Sequence, residues 1–158
     1  LPDGVAFEQY VLRMPKAAMM VVLNGQRDVL MLWRHRFIID RWVWELPGGY
    51  VDFVEDAAST VAREVAGYVG TGLENITGGD SMIAGRVVTT DSENLLFLAE
   101  GADYTGEPTD INEAQKVAWI PLASVRERIA NGEIVGAASQ VGVLHVLAFP
   151  PSERRRQP

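Results

Sequence analysis

Apolar residues in the first third of the chain come in short, strand-length runs. Three of them, Glu8 to Met14, Ala17 to Leu23 and Asp28 to Arg34, predict strands. Asn24-Gly25 between the second and third predicts a hairpin, because both residues tolerate positive φ. Arg41 to Leu46 alternates and predicts a further short strand, stopped by Pro47-Gly48-Gly49. The period then changes. Ala58, Val61, Ala62 and Val65 recur at three- and four-residue steps, so Glu55 to Val65 predicts a helix with one apolar face and with Glu55 and Asp56 at its positive end. Ser81 to Val88 and Leu95 to Glu100 read as paired strands around the polar stretch from Thr89 to Asn94, and Val117 to Ile120 as a short strand ended by Pro121. Leu122 to Ala130 predicts a helix closed by Asn131-Gly132, and Ala137 to Ala148 a last helix before Pro150-Pro151. Strands dominate, with helices in the middle and at the end. The expected architecture is one mixed α/β domain over residues 1–149, with a frayed, solvated tail over 150–158.

Composition narrows the function. At 158 residues, one domain can bury roughly two thirds of its unfolded surface. The 47% hydrophobic and 22% charged content is that of a globular domain and not of a disordered chain. A net charge of −7 disfavours non-specific nucleic-acid binding, which needs a basic excess. With no cysteine there are no disulfides, thiolate metal sites or cysteine nucleophiles. No apolar run reaches the ~18 residues of a membrane span, and a cytoplasmic location is the expectation.

The chemistry concentrates between Gly49 and Glu64. Gly49 is followed by five residues, Glu55, seven residues and then Arg63-Glu64-Val65, and the whole is preceded by Glu45-Leu46-Pro47-Gly48. This spacing resembles the first half of the Nudix box, G-x5-E-x7-R-E-U-x-E-E-x-G-U, in which U is bulky and aliphatic. A lone G-x5-E carries no information, and an Arg-Glu pair on a helix is usually a solvated face; the fitted spacing behind Glu-Leu-Pro-Gly-Gly is what makes the match specific. The likeness extends to Leu1-Pro2-Asp3-Gly4, Arg34-His35-Arg36, Leu96 to Glu100 and Val117 to Leu122, over roughly residues 1 to 148, and is to the branch that cleaves ADP-ribose and nucleotide sugars. A proline that this branch often carries beyond the box is absent between Pro47 and Pro108.

The resemblance implies an α/β/α sandwich around a mixed β-sheet, Mg²⁺ or Mn²⁺ as cofactor, a nucleoside-diphosphate small molecule as substrate and a homodimer. Hydrolysing a diphosphate linkage requires charge neutralisation on phosphate oxygens while water attacks phosphorus. Glutamates three and four residues apart share a helix face, so E-U-x-E-E gathers three hard oxygen ligands for such an ion. By resemblance Glu64 is a metal ligand or base, with Gly49 beside it at the metal. Arg63 holds the box together by pairing with Glu55, and Glu113 occupies the place of a catalytic loop glutamate. Gly48 and Gly49 allow close backbone approach to a ligand. Arg34, Arg36, Trp44 and Glu45 complete the expected substrate-binding set. The arginines could clamp phosphates or form a surface charge pair, and Trp42 and Trp44, which share a face by alternation, could stack on a base or serve the core or a dimer contact.

The second half of the box is broken. Where an acidic pair is expected the chain reads Ala66-Gly67-Tyr68-Val69-Gly70. Without a gap, Gly67 and Tyr68 replace the two glutamates. With a three-residue gap after Ala66, Gly67 becomes the box glycine and Tyr68 the bulky residue after it, and this register is preferred. Either way Glu64 loses its +3 and +4 partners. The expected function is therefore a Nudix hydrolase-like protein for nucleoside diphosphates linked to another moiety, impaired in turnover. The alternatives are a non-catalytic nucleotide-binding or regulatory module and a purely structural domain.

Overall fold

The computed structural model describes residues 2–6, 8–71, 77–78, 93–104 and 114–150. Its main sheet has the order β3-β2-β1-β7-β6, with β4 on β1 and β9 on β2. These strands are β1 (Ala17–Leu23), β2 (Asp28–Arg36), β3 (Arg41–Glu45), β4 (Gly48–Tyr50), β6 (Thr77–Gly78), β7 (Asn94–Glu100) and β9 (Lys116–Pro121). β5 (Val69–Thr71) and β8 (Asp103–Tyr104) form a separate two-stranded ribbon. β1 runs parallel to β7 and antiparallel to β2 and β4, so the sheet is mixed.

Alternation along the strands sends side chains to two cores. Ala18, Met20, Val22, Leu30 and Leu32 pack with Val61, Val65 and Tyr68 of and just after α1 (Ala57–Ala66). Val21, Leu23, Val29 and Met31 pack on the opposite side with Ile134, Val143 and Val146, against α2 (Val125–Ala130) and α3 (Ala137–Ala148). A helix layer on each face of one sheet is the α/β/α sandwich that the resemblance implied.

Several boundaries moved for local reasons. The predicted first strand, Glu8 to Met14, is irregular apart from a single bridge at Leu12. The hairpin after β1 forms, but its left-handed residue is Arg27 (φ 63°) and not Gly25. Asn24 turns the chain by accepting from the N–H groups of Gln26 and Asp28 through Oδ1, so the signal was the Asn side chain more than a two-residue turn. Leu122 to Ser124 is a 3₁₀ turn leading into α2, which ends at Asn131 with Gly132 at φ 70°. The predicted strand Ser81 to Val88 and the tail 151–158 lie outside the described residues.

α1 begins two residues later than predicted because Asp56 is its N-cap. Its Oδ1 accepts from the N–H groups of Ala58 and Ser59, both at 3.0 Å, and its Oδ2 from the Ser59 hydroxyl at 2.7 Å. The helix stops after Ala66, with Gly67 as C-cap.

Candidate active site

The first half of the box is assembled around one carboxylate. β4 lies so close to β1 that a Cβ on Gly48 would sit 2.3 Å from the Ala18 carbonyl oxygen and 2.7 Å from Met19 Cα. On Gly49, a Cβ would meet Glu64 instead, 3.2 Å from Cδ and 3.4 Å from each carboxylate oxygen. Glycine at both positions thus lets the strand dock on the sheet and lets Glu64 lie over the Gly49 backbone.

Arg63 ties this carboxylate down. It donates from Nη1 to Glu64 Oε1 at 2.7 Å and from Nη2 to Glu55 Oε2 at 3.1 Å, and Thr60, fully buried, donates its hydroxyl to the same Glu55 oxygen at 2.9 Å. The hydrogen bond from Arg63, and then that from Thr60, holds the Glu55 carboxyl below its ordinary range, while Glu55 raises the Arg63 guanidinium. Asp56 is likewise lowered, first by the Ser59 hydroxyl.

Carboxyls lowered on folding stabilise the native state above their unfolded pKa, and that stabilisation is lost as pH falls through the folded value. The stability of α1 is therefore expected to decline on acidification below about pH 4. Thermal melts across this range check it: Glu55→Gln with Asp56→Asn should flatten the acid limb, and an unchanged limb would count against a stabilising role for these two carboxylates.

A second group sits on the β2–β3 hairpin. Arg36 donates from Nε to both oxygens of Glu45, at 2.9 Å each, and from Nη2 to Oε2. Glu45 is buried, and its hydrogen bonds are the main cause of a raised Arg36 guanidinium. Arg34, also on β2, is partly buried, and its Nε has no hydrogen-bond partner among the described residues. Trp44 shares a face with Trp42, as alternation required, but only Trp42 is open to solvent, at 43% against 8%. Trp33 covers Trp44 with ring centroids 5.0 Å apart, and the Lys116 ammonium lies 5.8 Å from the Trp44 ring centre.

The structure thus brings Glu55, Arg63, Glu64 and Gly49 together, sets Arg36 and Glu45 in a pair of their own, and places Trp44 in an aromatic cluster. Glu113 lies outside the described residues. Sequence reasoning did not single out Thr60 or Ser139, whose hydroxyl accepts from the Leu46 N–H at 3.1 Å in the buried turn after β3. The available signal for both was a small polar residue within an apolar helical face.

Such a box on such a sandwich defines a phosphoanhydride hydrolase of the Nudix type by ancestry. The NUDIX domain family model matches residues 13–136, and the chain belongs to that family. Its relatives include the CMP-5'-(N-acetyl-N-hydroxy-3-aminopropyl)phosphonate hydrolase of Streptomyces rubellomurinus (strain ATCC 31215), 40% identical over 161 residues, covering 100% of this chain and 75% of that protein. The ADP-ribose pyrophosphatase of Mycobacterium tuberculosis (strain ATCC 25618 / H37Rv) is 28% identical over 152 residues, covering 94% and 72%. Among solved structures, an ADP compounds hydrolase superposes with a TM-score of 0.67 at 14% identity, over 85% of this chain and 71% of that one, which supports the fold. No helix among the described residues is long and apolar enough to cross a membrane.

The family generally works with a divalent metal such as Mg²⁺. Among the described residues the donors fall short of what that ion favours. Mg²⁺ favours six oxygens in octahedral array, commonly with more than one carboxylate. The described residues contain no group of three or more His, Cys, Asp or Glu side chains able to hold a metal, and one oxygen of Glu64 is already paired with Arg63.

Proposed function

We propose that this chain recognises a nucleoside 5'-phosphate joined through an acid anhydride to a second moiety, and that its turnover of that linkage is impaired. The linked moiety is a sugar phosphate or a phosphonate, the two classes named for its relatives. The observation that carries the reading is Glu64 laid over the Gly49 backbone and anchored through Arg63 to Glu55. In this reading Glu64 is the metal ligand or base, Gly49 its backbone neighbour at the metal, and Arg34, Arg36 and Gly48 shape the substrate side. Glu113 is the candidate loop carboxylate. Mg²⁺ or Mn²⁺ is the implied cofactor, held weakly, and the expected assembly is a cytoplasmic homodimer.

The impairment rests on the gapped register. The helix stops at Ala66, Gly67 caps it and Tyr68 is 3% exposed in the core, positions suited to a box glycine and the bulky residue after it. The similarity to the phosphonate hydrolase runs over 161 positions and takes in all 158 residues of this chain, which supports at least three positions without a counterpart here. The same observations favour a second reading, a binding or regulatory module that keeps the pocket without the metals.

Calorimetric titration of ADP-ribose, a CMP-linked phosphonate and a mononucleotide, alongside hydrolysis assays with Mg²⁺ and Mn²⁺, tests the reading. The expected result is micromolar to sub-millimolar binding of at least one anhydride with slow or absent hydrolysis. No binding of any nucleotide by the folded protein would leave only a structural role, and rapid hydrolysis would refute the impairment.

A further inference from the structure

Glu45 and Arg36 were both expected at the substrate, yet their geometry gives them different roles. Glu45 is 7% exposed, and its carboxylate takes three hydrogen bonds from Arg36. Its Oε1 also lies 3.7 Å from the position a Cβ would take on Gly136, the N-cap of α3, a helix start with no side-chain cap. Both oxygens of Glu45 are therefore engaged, and little of it is left to meet a ligand.

Arg36 is different. Its side chain is 49% exposed, and among the described residues its Nη1 makes no hydrogen bond. Glu45 ends β3 and only Leu46 and Pro47 separate it from Gly48, so the guanidinium held on its carboxylate lies at the entry to the strand that carries the box glycine. A free arginine loses considerable rotamer entropy when it grips an anion, and one already locked by a buried carboxylate has lost that freedom beforehand.

We propose that Glu45 is a positioning residue that fixes Arg36, so that Nη1 is presented beside the start of β4 to a phosphate or phosphonate oxygen of the ligand, while Glu45 itself stays out of contact. This rests on the functional reading above and names the residue pair that serves it.

A double-mutant cycle separates positioning from contact. Affinities for ADP-ribose, inorganic pyrophosphate and uncharged adenosine are measured on wild type, Glu45→Gln, Arg36→Ala and the double variant, with thermal melts on each. Glu45→Gln and Arg36→Ala are each expected to weaken the two phosphate-bearing ligands about tenfold and to leave adenosine unchanged, and the double variant should bind no more weakly than Arg36→Ala alone. Glu45→Asp should recover part of the loss. Equal losses from Glu45→Gln with and without Arg36 would mean that Glu45 touches the ligand directly. Melting points that fall while affinities stay constant would make the pair purely structural. Either result overturns the assignment. Should Glu45→Gln not fold, Arg36→Lys replaces it: the charge is kept, but one ammonium cannot grip both carboxylate oxygens and reach a ligand, so the same tenfold loss is expected and full affinity would refute the proposal. A wild-type chain that binds no phosphate-bearing ligand overturns the functional reading and this assignment together. Wild-type binding untouched by every variant overturns this assignment alone.

Discussion

Inserting Glu-Glu-Thr between Ala66 and Gly67 is expected to raise anhydride hydrolysis by about a hundredfold or more. The insertion returns two carboxylates to +3 and +4 of Glu64, on its own helix face, where they can share a divalent ion with it. Charge neutralisation at the transferring phosphoryl group is worth several kcal/mol, and each ~1.4 kcal/mol is tenfold in rate. The insertion also leaves the flanking residues in kind. α1 would run on by nearly a turn, Gly67 would still close it, and Tyr68 would still enter the core. Placing glutamates directly at Gly67 and Tyr68 should fail. Tyr68 is buried with Val61, Val65 and Phe97, and losing such a ring costs about 3–5 kcal/mol before any charge is buried in its place. Steady-state hydrolysis with Mn²⁺ and a thermal melt on each variant check both halves. Turnover revived by the double substitution, with the insertion inert or unfolded, would show that the gapped register is wrong.

The sandwich was legible because it depends on periodicity. The alternation in Ala17–Leu23 and Asp28–Arg36 and the helical spacing of Val61 and Val65 each assign a residue to one of the two cores. Pattern was less informative where side chains replace backbone partners. Asp56 as N-cap displaced the start of α1 inward, and Asn24 made a turn whose strained residue is Arg27. At the site, the box spacing located Glu55, Arg63 and Glu64 because chemistry fixes those intervals along the chain. It could not reveal that Arg36 reaches Glu45, nine residues away, or that Trp44 is covered by Trp33. Both depend on hairpin register, in which His35 faces Trp42 and Trp33 faces Trp44. A motif gives residue types at intervals, whereas tertiary register decides which of them remain free for a ligand.

The two glycines that open β4 are expected to respond differently to one methyl group. Gly48→Ala should destabilise the fold by about 3 kcal/mol or more, because the new Cβ meets backbone atoms, the Ala18 oxygen at 2.3 Å and Met19 Cα at 2.7 Å, which cannot swing aside. In a domain of this size that corresponds to a fall in Tm of roughly 6–12 °C. β4 would have to lift from β1, breaking the pairing of Ala18 with Gly49 and of Met19 with Gly48. Gly49→Ala meets only the end of the Glu64 side chain, at 3.2 Å from Cδ, and a glutamate can turn away at a stability cost of under about 1 kcal/mol. Its effect belongs to function. In the background carrying the Glu-Glu-Thr insertion, displacing Glu64 from the Gly49 backbone should remove most of the regained hydrolysis while the melting point holds. Thermal denaturation of both single variants and turnover of Gly49→Ala in the insertion background test the pair. Equal melting points for the two variants would mean that β4 is not packed on β1 as closely as described, and undiminished turnover in Gly49→Ala would remove Glu64 from the chemistry.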